Sequence, residues 1–123
     1  MIWLAVEPAR LSRRAASAIR RARSSGGVSI ASITLLELAG FFAKGRLRAA
    51  GTIEAGIRLF LEATGAAIQE ISPEIAALAT QFPDDYPRDP ADRLIGATAR
   101  ALGLPLATRD EAIRASPLIR TIW

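Results

Sequence analysis

The sequence predicts an α/β fold, with a parallel or mostly parallel sheet flanked by helices. Two observations carry this expectation. Short apolar runs, VSIA (28–31), PLAT (105–108) and IRTIW (119–123), and the alternating AIQEI (67–71) have the length and patterning of strands. Longer stretches between them repeat apolar residues every three to four positions, as helices do. Strands that alternate with helices pair in parallel, because a crossover helix returns the chain to the end of the sheet from which the strand began. The chain has 123 residues and is half apolar. That suits one domain, 1–123, around one core and argues against disorder.

The elements follow in order. In residues 11–23, Leu11, Ala15, Ile19 and Ala22 recur at helical spacing. Arg13, Arg14, Arg20, Arg21 and Arg23 fall elsewhere, spread around the helix rather than on a single stripe. Ser12 is placed to cap this helix, and Ser24-Ser25-Gly26-Gly27 ends it. After the strand VSIA, Ser32 or Thr34 caps a helix carrying Leu35, Leu36, Glu37, Leu38, Phe41 and Phe42, which stops near Lys44-Gly45. Residues 52–64 form the next helix, with Ile53, Ile57, Phe60 and Leu61 on one side, and AIQEI reads as an exposed strand. Pro73 opens a short helix through Ala79. FPDDYPRDP (82–90) is the one long loop, its prolines and acids opposing regular structure. A helix runs from Ala91 to about Leu102 and Gly103 ends it; PLAT is a buried strand, Asp110 caps a helical turn, and IRTIW is the last strand.

Composition narrows the chemistry. There is no cysteine and no histidine. This excludes disulfides, thiolate chemistry, the common zinc sites, Ser-His-Asp catalysis and the usual near-neutral general base. Catalysis here would have to run on carboxylates, arginines, hydroxyls or a bound ion, and carboxylates without imidazole suit a hard cation such as Mg2+ or Mn2+. The net charge of +4 arises from 16 basic residues, of which Lys44 is the sole lysine, against 12 acids. An arginine excess suits phosphate, and equally a basic solvated surface. No recognition-helix signature accompanies the arginines, so direct DNA binding is not expected. No apolar run is long enough to span a bilayer or to form a signal-peptide core, and a cytoplasmic protein is the expectation.

Three acids stand where an α/β sheet would gather them. Glu37 lies in an apolar stretch one turn into its helix, where a buried carboxylate needs a partner or a metal; it also fits the polar side of that helix. Asp89 is an N-cap with Pro90 at the first helical position, and Asp92 at the third suits a capping box and the helix dipole. Asp110 follows a strand directly and caps the next turn. Each has a structural explanation of its own. Yet all three lie at strand-to-helix or loop-to-helix junctions, near the carboxyl ends of strands where open α/β sheets bind ligands. Brought together, they would repel one another unless a cation neutralised them. Such a cation would activate water for attack on a phosphodiester. Thr34 or Thr108 would orient that water or bind phosphate, and nearby arginines would hold the backbone.

This order of residues resembles the PIN-domain family, and within it the toxins of Vap-type toxin–antitoxin systems. The matching stretches are IWLAVEPARLS (2–12), VSIASITLLELAG (28–40), GRL (45–47), ISPEIAALA (71–79), RDPADRLIGATARALGLPLATRDEAI (88–113) and the final IRTIW. The resemblance implies a parallel sheet flanked by helices and an Mg2+- or Mn2+-dependent endoribonuclease. It further implies a homodimer and a small cognate antitoxin that inhibits the toxin and binds its own promoter. Glu37, Asp92 and Asp110 match three of the family's four acids, as catalytic residues and metal ligands, with Asp89, Thr34, Thr108 and Arg109 auxiliary.

One departure stands out. The family opens with a strand ending in aspartate, whereas here Met1-Ile2-Trp3-Leu4 matches the helix after it. The first, central strand and its acid are therefore expected to be missing, and Glu7 does not simply replace that acid. A start set too late or a decayed gene would each explain this, and the chain as it stands is expected to be inactive. The alternative reading is a non-catalytic remnant that binds an antitoxin-like partner through the apolar residues of 34–43 and 52–64: Leu35, Leu38, Phe42, Ile57, Phe60 and Leu61.

Overall fold

The computed structural model describes residues 12–48 and 50–123, and the backbone of residues 2–3. The sequence match over 2–12, the Leu11 end of the first helix and Glu7 therefore fall largely outside the described residues. Among the described residues five short strands form one sheet: β1 (Ile2–Trp3), β2 (Ser29–Ala31), β3 (Ala67–Gln69), β4 (Leu106–Ala107) and β5 (Thr121–Ile122). Their order is β3-β2-β1-β4-β5 and every pairing is parallel. The parallel α/β architecture read from the sequence is thus present.

The absent central strand is a correction. Ile2–Trp3, expected as the opening of a helix, pairs with Ser29 on one side and with Leu106 and Ala107 on the other. A short apolar run does not by itself distinguish strand from buried helix. The inner edges of β2 and β4 decide it, since their unpaired backbone groups would otherwise lie buried between them.

Among the described residues six helices accompany these strands: α1 (Arg13–Ser24), α2 (Ile33–Ala43), α3 (Ile53–Thr64), α4 (Pro73–Ala79), α5 (Pro90–Leu102) and α6 (Glu111–Arg114). Their starts are set locally. The hydroxyls of Ser12, Thr52 and Ser72 accept backbone N–H groups at Ala15, Ala55 and Ile75, satisfying donors that a first turn leaves open. Neither capping candidate for α2 acts as one: Ser32 makes no side-chain cap bond and Thr34 lies within the first turn. Gly103 ends α5 in a left-handed conformation, φ 64°, which glycine adopts without a Cβ penalty.

The two sheet faces carry separate cores. On one, Ile19 of α1 packs with Val28, Ile30 and Ala107, with Phe60 and Leu61 of α3 beside them. On the other, Ile75, Ile95, Ala97, Ala99 and Ile113 from α4, α5 and α6 pack with Leu106, Ile119, Phe82 and Tyr86. Right-handed crossovers require this division. The connections from β1 to β2 to β3 move one way along the sheet and place α1 and α3 on one face, the return to β4 and β5 uses the other, and α2 spans the two, with Leu35 in the first cluster and Ile33 against the second. No helix among the described residues is long and apolar enough to cross a membrane.

Candidate active site

The strand order reverses at β1, so the carboxyl edge around β2, β1 and β4 is where an open parallel sheet forms a crevice. Three chain segments reach this edge. The turn after β2 enters α2 with Thr34 and Glu37. The turn after β4 carries Thr108, Arg109 and Asp110. The helix α5, which runs antiparallel to the β4 that follows it, brings its first turn there, with Asp89 and Asp92.

Thr34 and Glu37 are three residues apart and share one helix face. Thr34 is buried, and its hydroxyl has no hydrogen-bond partner among the described residues. Glu37 is half-buried, between exposed Leu36 and buried Leu38 in the chain. Burial pushes its carboxyl above the usual range, and the negative charges of Asp92 and Asp89 push it further. Across more than fifty residues of sequence, these acids therefore share one electrostatic environment.

Asp89 caps α5, its carboxylate accepting the Ala91 N–H at 2.8 Å. The capping box expected of Asp92 does not form, since its carboxylate makes no hydrogen bond within α5. Asp89 alone satisfies the cap, and Asp92 is left half-buried and facing its neighbours. Its carboxyl is also raised, first by burial, then by Asp89 and Asp110. Among the described residues no cation forms a salt bridge with it. The one salt bridge among the described residues, Arg58–Glu54, is exposed on α3.

Asp110 is tied down differently. Its Oδ1 accepts the Ile113 N–H at 3.0 Å, while its own N–H donates to the Thr108 hydroxyl at 3.1 Å. Asp110 is exposed, with one oxygen used as a cap. Thr108 is buried, and its hydroxyl is occupied by this turn. Arg109 is exposed beside it.

Two residues of the site escaped the sequence reading. Tyr86, in the long acidic loop, is 2% exposed and stacks on Phe82 with centroids 4.0 Å apart. Its hydroxyl donates to the Asp92 carbonyl at 3.0 Å. Burial and the charges of Asp92 and Asp110 push its pKa well above the ordinary phenol range, so it stays a donor. Arg93 reaches back from α5, its Nε donating to the Pro87 carbonyl at 3.0 Å. Together they fasten the loop to the first turn of α5 and fix where Asp92 stands. The available signal was an aromatic residue within a polar loop, FPDDYP.

The donors fit a hard divalent cation in kind: half-buried carboxylates at Glu37 and Asp92, both raised by burial and by neighbouring negative charge, with a buried hydroxyl that has no partner among the described residues one helical turn from Glu37. Among the described residues no three acids are arranged as a closed metal-binding group. One or two carboxylates with retained waters is the mode that suits magnesium.

A parallel sheet of this order with acids at its carboxyl edge defines a recognisable class, and the PIN-domain family model matches residues 1–116. The chain belongs to the PIN-domain family. Ribonuclease VapC22 of Mycobacterium tuberculosis (strain ATCC 25618 / H37Rv) is 35% identical over 123 residues, covering 98% of this chain and 91% of that protein. Among solved structures, FitAcB from Neisseria gonorrhoeae superposes with a TM-score of 0.65 at 24% identity, over 98% of this chain and 96% of the other. A toxin-antitoxin complex from Klebsiella pneumoniae gives 0.59 at 23%, over 88% and 83%. VapBC2 from Rickettsia felis, bound to a DNA fragment from its promoter, gives 0.57 at 15%, over 98% and 97%. At these identities the structural likenesses speak for the fold.

Proposed function

We propose that the chain is a metal-dependent endoribonuclease, the toxin of a toxin–antitoxin pair, working at the carboxyl edge of its sheet. The observation that carries this is the state of Glu37 and Asp92: two half-buried carboxylates, Glu37 raised by burial and by Asp92 and Asp89, Asp92 raised by burial and by Asp89 and Asp110, with no salt bridge or capping bond among the described residues to explain their position. Uncompensated like charges cost stability, and a site that keeps them is organised for a cation. Membership in the PIN family and likeness to a VapC ribonuclease support the same reading.

In this reading Glu37, Asp92 and Asp110 hold Mg2+ or Mn2+, and Asp89 adds negative charge behind them. The bound cation would supply an activated water and charge stabilisation at the phosphodiester. The protein's own part is positional. Tyr86 and Arg93 fix the first turn of α5, Thr108 fixes the turn that presents Asp110, and the Thr34 hydroxyl offers a polar contact to water or phosphate. Exposed Arg109 is placed to meet the RNA backbone. A cognate antitoxin and a second copy of the chain are the expected protein partners.

The test is RNA cleavage with Mg2+ or Mn2+, against EDTA, by the wild type and by Asp110→Asn. Asparagine caps a helix as well as aspartate does, so this variant keeps the α6 cap while losing the charge. Metal-dependent cleavage by the wild type, lost in Asp110→Asn with an unchanged melting temperature, is the result expected if three acids suffice; a folded wild type that never cleaves is the result expected if the family's missing first acid leaves the chain inactive. Undiminished cleavage by this variant would remove Asp110 from the site.

A second reading, a non-catalytic antitoxin-binding protein, is favoured by the absence of a closed three-acid group among the described residues. The apolar residues offered for partner binding need revision. Leu38 is buried and Leu35, Phe42, Ile57, Phe60 and Leu61 are partly buried, whereas Leu36 and Leu59 are 70% and 64% exposed. A folded chain that binds the small product of a neighbouring gene but never cleaves RNA would establish this reading over the first.

A further inference from the structure

The folded chain gathers arginines that the sequence appeared to scatter. Helix α1 buries Ala15, Ala18 and Ile19. At about 100° per residue, Arg13, Arg14, Arg20, Arg21 and Arg23 all fall on the opposite half of the helix, and all five are exposed. Ala16, partly buried, and Ser17 and Ser24 share that half with them. The helix contains no acid, and none of its arginines forms a salt bridge among the described residues. Arg21 donates to the Ser17 hydroxyl and Arg23 to the Ala63 carbonyl at the end of α3; Arg13, Arg14 and Arg20 extend into solvent.

The position of this face relates it to the acids. Because α1 joins two parallel neighbours, β1 and β2, it runs antiparallel to them. Its first turn, with Arg13 and Arg14, therefore lies at the carboxyl edge where Glu37, Asp92 and Asp110 emerge. Arg20 stands about 10 Å further down the flank at 1.5 Å per residue.

We infer that the solvent face of α1 is a track for the phosphate backbone of single-stranded RNA leading to the acidic edge. The inference rests on the ribonuclease reading for its substrate, and the face itself favours nucleic acid over protein. A protein interface needs large apolar or aromatic anchors at its centre, and this arc, apart from the small methyl of Ala16, offers guanidinium and hydroxyl groups. Those are the groups that contact phosphate and sugar without reading sequence. The acids repel RNA at the point of reaction, so affinity has to come from a neighbouring basic surface.

The experiment uses the full chain in EDTA, so that RNA stays intact, and a short fluorescein-labelled single-stranded RNA of mixed sequence. Anisotropy is followed between about 50 and about 200 mM salt. The triple variant Arg13→Gln, Arg14→Gln, Arg20→Gln is expected to melt as the wild type does and to bind more weakly. Its log–log salt slope should be shallower by about 2, since each phosphate contact to a single strand contributes about 0.7. The corresponding triple Arg→Lys variant should recover most of the slope. An unchanged slope and affinity in the Gln variant, or a wild type that binds no RNA, would overturn the track. Tighter wild-type binding to poly-glutamate than to RNA would overturn it in favour of an acidic protein partner. Cleavage of the same RNA in Mg2+ separates the two readings. A wild type that binds through α1 and never cleaves removes the ribonuclease reading alone. A wild type that cleaves while the Gln variant binds and cleaves equally well removes the track alone.

Discussion

Glu37 and Asp92 carry opposite consequences for stability and for chemistry. In the metal-free protein both carboxyls are raised above their ordinary values of 4.5 and 3.8. The folded state therefore binds protons more readily than the unfolded one. The sign follows from linkage: stability from these groups is fully present below the ordinary carboxylate values and is lost as pH rises through the raised ones. Glu37→Gln with Asp92→Asn should accordingly melt higher than the wild type in EDTA at neutral pH. The difference should shrink toward zero on acidification, as thermal melts across pH will read. A double variant that melts lower at neutral pH would mean these carboxylates have stabilising partners. Asp110 behaves otherwise, because one of its oxygens caps α6. Asp110→Ala should cost roughly 1 kcal/mol and Asp110→Asn close to nothing.

At the scale of elements, the loop from Phe82 to Asp89 and the helix α5 act as one piece. Tyr86→Phe removes the bond to the Asp92 carbonyl and should cost about 1 kcal/mol in denaturant unfolding. Gly96 faces this same contact. A Cβ there would run into the Tyr86 hydroxyl, with Ile119 Cδ1 at 2.9 Å and Phe82 Cζ at 3.0 Å. Gly96→Ala should therefore destabilise by roughly 1–3 kcal/mol although alanine favours helices. A neutral or stabilising result would show that the loop moves aside freely. The start of α5 was legible because Asp89 and Pro90 are adjacent and act within one turn. The role of Tyr86 was not, because its partner is defined only once the loop folds back onto the helix.

For the whole molecule, a cation at the carboxyl edge should couple binding to folding. A ligand that binds only the native state, at about a hundred times its dissociation constant, adds about 2.7 kcal/mol. Mg2+ or Mn2+ should thus raise the melting temperature of the wild type and leave Glu37→Gln with Asp92→Asn unmoved. Equal shifts in both proteins would place the cation elsewhere. This readout stands apart from cleavage. The central position of Ile2–Trp3 makes the same point about long-range order. A two-residue segment gains its place because β2 and β4 both need a partner there.

What the sequence determined by itself is what a few neighbouring residues decide. The caps at Ser12, Asp89 and Asp110, the glycine stop at Gly103, the alternation of helix and strand, and the absence of cysteine and histidine were all readable. So was the short set of acids that could do chemistry. The tertiary structure alone decided which carboxylate is spent on a cap and which is left uncompensated, since the charges that raise Glu37 come from residues more than fifty positions away. It also decided that Ile2–Trp3 is the middle of the sheet. Finally, it turned a scatter of arginines into one exposed face, because burial of Ala15, Ala18 and Ile19 against the sheet fixes which half of α1 meets water.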